Sequence, residues 1–136
     1  TQYWVREVMN KMYKNHIRGL SGNDDCGQMS AWYLFTAMGF YPVCPGTDQY
    51  VLGAPYLPYL KISLSNGKIF EIKAEGVSDK KRYVKSVRLN GVPYHKMYIT
   101  HSDILKGGVL EFVMSASPNK KRGQELVDKP YSLTSR

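Results

Sequence analysis

The 136 residues read as an α+β chain, with two N-terminal helices followed by an antiparallel β-sheet or sandwich unit. Three observations predict this. Up to about residue 38, apolar side chains recur at three- and four-residue steps. Gly39, Pro42 and Pro45 then forbid further helix. Beyond Pro45 the apolar period falls to two, and Asn-Gly pairs separate short runs rich in Val, Ile and Tyr. These shifts divide the chain into a helical part (1–47), a β unit (48–118) and a polar tail (119–136).

Residues 2–14 set Tyr3, Val5, Val8, Met9, Met12 and Tyr13 on one side of a helix, with Arg6, Glu7, Asn10 and Lys11 between them. Glu7 reads as part of a solvated face. A loop, Ile17-Arg-Gly-Leu-Ser-Gly-Asn23, follows. The second helix is expected from about Gly27 to Met38. Trp32, Tyr33, Leu34 and Phe35 are consecutive, so apolar groups surround this helix and it should be buried on most sides. A lone helix of that length cannot provide such burial, and the start at Thr1-Gln-Tyr-Trp-Val-Arg reads as entry in mid-helix. A fragment of a longer protein is therefore expected.

In the β unit, Leu60-Lys-Ile-Ser-Leu64 alternates, Asn66-Gly67 signals a two-residue hairpin, and Ile69–Ala74 returns as a strand. Tyr83–Leu89, Asn90-Gly91 and Val92–Ile99 repeat the grammar, with Pro93 pushing the return strand to an edge or a bulge. Thr100-His-Ser-Asp103 reads as turn and cap, Gly107-Gly108 as a turn, and Val109–Met114 as a last, mostly apolar strand. The tail from Asn119 is expected to be loose.

Nineteen Lys and Arg against eleven Asp and Glu give a net charge of +8. The basic residues are scattered, and neither Lys80-Lys-Arg82 nor Lys120-Lys-Arg122 alternates with aromatics as a single-strand binder would require. Solvated loop charge is the simpler reading, and no nucleic-acid partner is expected. Cys26 and Cys44 match neither zinc nor redox spacing, so their state stays open. The longest apolar stretch, Ala31–Tyr41, is far short of the roughly 20 residues that span a bilayer.

The stretch Gly22-Asn-Asp-Asp-Cys-Gly27 places two acids just before the second helix. Asp is favoured there because its oxygen accepts an orphan backbone N–H, so an N-cap is one reading. The same helix mouth favours the ionised carboxylate, which is what a general base requires. An apolar helix packed behind the turn would hold such a base still.

Gly22-Asn-Asp-Asp-Cys-Gly-Gln-Met-Ser-Ala-Trp-Tyr33, continuing through Met38-Gly-Phe-Tyr-Pro-Val-Cys-Pro-Gly46, resembles the C-terminal catalytic segment of glycoside hydrolase family 92, the calcium-dependent exo-acting α-mannosidases. Val87-Arg-Leu-Asn-Gly91, Leu110–Ser115 and Ser117-Pro-Asn119 resemble its C-terminal β region, so the likeness covers roughly residues 1–123. It implies that residues 1–47 close an (α/α)6 catalytic barrel and that the parent cleaves terminal α-mannosidic bonds, α-1,2 bonds among them, with inversion. Asp25 is then the expected general base, Asp24 its support, and Asn23 and Gln28 the expected substrate contacts. Calcium is the implied cofactor, most of its ligands lying outside this chain. An inverting enzyme also needs a carboxylic acid about 6.5–9.5 Å from the base. None here is convincing, so the fragment alone should be inactive. A mannose-containing glycan and the rest of the catalytic chain are the implied partners, and a secreted or periplasmic parent is implied. After Asn119 the family runs to an aromatic Trp-Gly, whereas here Lys120-Lys-Arg-Gly123 intervenes.

Other residues have plainer readings. His16 sits in the loop before the acids, where it is either solvated or within reach of a ligand; His95 and His101 read as structural. Trp32 reads as core rather than as a sugar platform. Tyr56 and Tyr59, with Pro55 and Pro58, read as a rigid connector packed on the β unit. The rival to a hydrolase segment is a non-catalytic carbohydrate-binding β module with a helical lead-in.

Overall fold

The computed structural model describes residues 1–134. Helix α1 (Gln2–Met12) and helix α2 (Gln28–Met38) precede a small sheet and a larger one. The small sheet has the order β1-β2-β7, from β1 (Phe40–Tyr41), β2 (Gln49–Leu52) and β7 (Tyr98–Thr100). The larger has the order β3-β4-β8-β5-β6, from β3 (Tyr59–Ser63), β4 (Ile69–Lys73), β5 (Tyr83–Leu89), β6 (Val92–Pro93) and β8 (Gly108–Ser115). A short helix α3 (His101–Leu105) joins β7 to β8. The α+β class is as expected. One pairing departs from the antiparallel pattern: β4 and β8 run parallel, Ile72 opposite Leu110.

The core lies where the two sheets face each other. Phe70 and Ile72 of β4, Leu110, Phe112 and Met114 of β8, and Val84 and Val87 of β5 meet Phe40, Leu52 and Ile99 of the small sheet. Val84 and Val87 are three apart and in a regular strand would point to opposite faces. The register shifts between Val84 and Ser86, and this bulge restores both valines to the core. The Asn119 side-chain amide donates to the Lys85 carbonyl at that irregularity.

The two Asn-Gly pairs form different turns. Asn90 and Gly91 both take positive φ, 53° and 79°, and Leu89 pairs directly with Val92. That is the two-residue type I′ hairpin expected of the dipeptide. At Asn66-Gly67 only the glycine has positive φ, and Leu64 N–H donates to the Lys68 carbonyl, so the loop is three residues long. The Asn66 amide accepts from Lys68 N–H and donates to the Leu105 carbonyl, which ties the loop to α3. The second return strand also splits. Val92–Pro93 forms an edge strand, and Tyr98–Thr100 crosses to the small sheet, leaving Pro93 where its missing N–H costs nothing. Thr100 and Asp103 close a capping box at α3.

Both long helices differ from expectation in which side is covered. On α1 it is Arg6 and Met9 that are buried, while Tyr3 and Met12 are exposed. The reason is the Arg6 guanidinium. It donates to the Pro55 carbonyl at 2.8 Å, lies 4.5 Å from the Tyr56 ring centroid, and approaches Asp79 at 3.9 Å. Tyr56 in turn donates to Asn10 at 3.0 Å. Glu7, expected on a solvated face, bridges Arg82 at 2.7 Å and Lys11 at 2.8 Å. Helix α2 buries Thr36 and Ala37 and packs Phe35 against Phe40, Tyr41 and Tyr50, yet Leu34 is 63% exposed because no described residue covers that side. Gly39 ends α2 with φ of 91°, and a Cβ there would strike the Pro55 ring, so Pro55 packs directly on the helix terminus.

The tail, expected to be loose, is held down. Arg122 donates to the Lys96 carbonyl, Met97 N–H to the Asp128 carbonyl, and Tyr131 N–H to the Gln49 side chain.

Arg6→Ala is expected to cost about 2–3 kcal/mol in urea unfolding, the loss of a charged, buried hydrogen bond. Glu7 supplies a pH dependence. Hydrogen bonds from Lys11, then from Arg82, hold its carboxyl below the ordinary 4.5. A depressed value means stability present above the unfolded pKa and lost as pH falls through the folded one. Denaturation midpoints of the parent should therefore fall more steeply below pH 4.5 than those of Glu7→Gln, a comparison made by urea titration across pH 3–6.

Candidate active site

The acid turn occupies the mouth of α2 and has an unusual backbone. Asp25 (φ 51°), Cys26 (φ 59°) and Gly27 (φ 96°) are consecutive in the left-handed region. Non-glycine residues held there cost on the order of 1–3 kcal/mol each and gather at functional sites. The strain is offset by the way the turn closes the helix.

The first helical turn leaves its N–H groups without helical partners. Gln28 N–H donates to the Asp25 carbonyl at 3.3 Å and Met29 N–H to the Asp24 carbonyl at 3.1 Å. Ser30 N–H and Ser30 hydroxyl both donate to the same Asp24 carboxylate oxygen, Oδ1, each at 2.9 Å. The nearest flanking residue, Gly27, offers no side chain, so the capping oxygen comes from Asp24. Asp24 is half-buried and Asp25 exposed. The Asp25 carboxylate accepts no hydrogen bond from any described residue, and neither Asn23 nor Gln28 makes a side-chain hydrogen bond; both are exposed. Helix capping thus consumes one acid of the pair and leaves the other unengaged.

Tyr13 supports the turn from below. Its hydroxyl donates to the Met29 carbonyl at 3.1 Å, and its ring stacks on Trp32 at 5.6 Å and meets the tilted Tyr33 ring at 4.9 Å. Burial, followed by the negative charge of Asp24, raises its pKa. The sequence reads Trp32 as packing rather than platform; it stacks on Tyr13 but is only half-buried and lines the larger of two cavities. The sequence did not single out Tyr13 or Ser30. The signal for Ser30 was the Gly27 immediately before the helix, which moves the capping duty back to a residue that must bond the third helical position.

Two cavities flank the helices, of about 490 and 570 Å³. Asn23, Asp24, Asp25 and Gln28 line neither, although Ser30 lines the smaller. Among the described residues no group of three or more His, Cys, Asp or Glu side chains converges. No helix among them is long and apolar enough to cross a membrane.

The family profile described as the glycosyl hydrolase family 92 catalytic domain matches residues 1–116, which include both acids. The chain belongs to family 92. A family 92 α-mannosidase of Bacteroides thetaiotaomicron, solved in complex with mannoimidazole, is similar in fold with a TM-score of 0.91 and 45% identity, over 97% of this chain and 17% of that one. The family 92 inverting mannosidase of B. thetaiotaomicron VPI-5482 gives 0.89 and 41%, over 96% of this chain and 18% of that one. An uncharacterized secreted glycosidase of Arthroderma benhamiae is 31% identical over 105 residues, 75% of this chain and 14% of the relative. This family 92 chain therefore spans 14–18% of the length of these relatives.

If capping falls to Asp24, then Asp24→Ala should cost about 1 kcal/mol of stability. Asp25→Asn should stay within about 0.5 kcal/mol. Urea unfolding of both variants measures the difference, and equal losses would contradict the division of labour described for the pair.

Proposed function

We propose that this chain is the segment of a secreted or periplasmic α-mannosidase that supplies the general base for hydrolysis of a terminal α-mannosidic bond with inversion. The observation that carries the proposal is the unequal fate of the two acids: Asp24 is spent on Ser30, and Asp25 remains free. Membership of family 92 supports the substrate class, and the likeness to an inverting mannosidase supports the stereochemistry.

The chemistry follows from position. Asp25 stands exposed at the mouth of α2, with a carboxylate that no described residue engages. That carboxylate takes a proton from a water as the water oxygen bonds to the anomeric carbon and the bond to the leaving oxygen breaks. The leaving oxygen takes a proton from a carboxylic acid outside this chain. Asp24 keeps the turn rigid, and in this reading Asn23 and Gln28, both exposed beside it, hydrogen-bond sugar hydroxyls. Calcium, implied by the family, would draw most of its ligands from elsewhere in the longer protein and would supply charge for holding the sugar. The isolated chain is then inactive, since it lacks the acid.

A chimera tests the proposal, this chain replacing the matching segment of the B. thetaiotaomicron α-mannosidase. Asp25→Asn should lower kcat by about 10²–10⁴-fold, the usual share of a general base. Asp24→Asn should cost less. NMR of the first-formed mannose should show the β anomer. Turnover by the Asp25→Asn chimera within about threefold of its parent would overturn the assignment.

A further inference from the structure

The Asp25 carboxylate accepts no hydrogen bond from any described residue, so its place in space is set by the backbone that carries it. That backbone hangs from the first turn of α2, through Gln28 N–H to the Asp25 carbonyl and Met29 N–H to the Asp24 carbonyl. The first turn is the lightly seated end of the helix. Thr36 and Ala37, the buried residues of α2, lie in its last turn, whereas Gln28, Ser30, Ala31 and Leu34 are exposed. From residue 36 back to residue 29 the helix runs about 10 Å, at about 1.5 Å per residue, so a tilt of about 6° moves the acid turn by about 1 Å. A misplacement of that size can cost a reaction about 10²-fold.

Among the described residues, one side chain from outside the turn hydrogen-bonds to this end of α2. The Tyr13 hydroxyl donates to the Met29 carbonyl at 3.1 Å, so Met29 is tied twice, its N–H to the acid turn and its carbonyl to Tyr13. Tyr13 is itself fixed. It takes extended backbone where the chain leaves α1, and it bridges Leu20. Helix α1 behind it is fastened to the β unit by Arg6, through the Pro55 carbonyl. The ring and the hydroxyl of Tyr13 constrain α2 differently. Stacked rings tolerate small slides, whereas a hydrogen bond weakens steeply as its angle closes. The hydroxyl is therefore the contact that sets the direction of the first turn.

We infer that Tyr13 is a positioning residue for the general base: its hydroxyl pins the first turn of α2 and so fixes where Asp25 stands, without touching the sugar or the attacking water. The inference rests on the reading of Asp25 as the base, since the turn otherwise has no proton transfer to aim. Proton transfer from a water needs reacting atoms in near-attack alignment, while a hydrogen bond to a sugar hydroxyl survives a small shift. The effect of the Tyr13 hydroxyl therefore falls mainly on kcat and only weakly on KM.

The test uses the chimera described above and an aryl α-mannoside, whose good leaving group keeps residual rates measurable. Tyr13→Phe removes the hydroxyl and keeps the ring; it should lower kcat about tenfold, change KM less than about threefold and leave Tm within about 2 °C. In a chimera already carrying Asp25→Asn, the same change should alter the residual kcat less than about twofold, because no base remains to be placed. Tyr13→Leu, which removes ring and hydroxyl together, should lower Tm as well and cost at least as much in kcat. A kcat for Tyr13→Phe within about twofold of the parent would overturn the inference, and so would an equal fractional loss with and without Asp25→Asn. A loss of kcat confined to Tyr13→Leu, or a larger fall in Tm for Tyr13→Phe, would make the role one of packing alone. If Asp25→Asn by itself leaves turnover near the parent's, it is the base assignment that fails; if Asp25→Asn abolishes turnover and Tyr13→Phe is silent, only the positioning role fails.

Discussion

Two hydrogen bonds from Ser30 to one oxygen of Asp24 fix the geometry on which the acid turn depends. They join a residue outside α2 to the third position within it, and the chain between them has no room for a relaxed path. Asp25, Cys26 and Gly27 are driven through the left-handed region as a result. A charge-assisted pair of bonds, roughly twice as strong as neutral ones, is the kind of interaction that can hold such a path open. Asp25 is thereby displayed at the helix mouth without being drawn into the cap. The pair of acids thus works as a brace and a displayed group, and the order of the two along the chain decides which is which.

The brace would be worth little on a loose helix. Tyr13 secures α2 to the end of α1, and Arg6 secures α1 to the segment at Pro55 and Tyr56 that leads into the β unit. Arg82 at the entrance to β5 closes the ring through Glu7. Each of these contacts is between residues far apart in the chain, and each pairs a charge or a hydroxyl with a carbonyl, an aromatic face or a carboxylate. Apolar packing alone fixes a helix less strictly in direction, since it is indifferent to small slides, whereas these contacts have preferred angles. The β unit thus serves as the base on which the acid turn is mounted.

Much of this was legible in the residues. The change of period after Pro45, the type I′ turn at Asn90-Gly91, the capping box at Thr100 and the edge position of Pro93 all follow from local rules, and local rules suffice where a turn is decided by its own two or four residues. What was not legible depended on distant partners. Asn66-Gly67 became a longer loop because Asn66 bonds to Leu105, a residue 39 positions away. Arg6 looked like a surface charge because nothing near it in sequence announces the Pro55 carbonyl. The polar tail looked loose because its anchors, Lys96 and Gln49, lie on other elements. At the acid turn the sequence supplied the pair and the helix, and the family likeness pointed to both acids together; which of them caps the helix is set by the bonds to Ser30, which spacing alone did not announce.

The middle strand of the larger sheet is β8, with β4 parallel on one side and β5 antiparallel on the other. It is also the last strand in chain order among the described residues. A growing polypeptide therefore carries Phe70, Ile72, Val84 and Val87 without the strand that joins their edges until residue 115 has left the ribosome. Half-built sheets with open edges invite pairing with neighbours. The Lys-rich turn at 80–82 lies between β4 and β5 and so emerges before β8, and its like charges would keep nascent copies apart while the sheet waits for its centre.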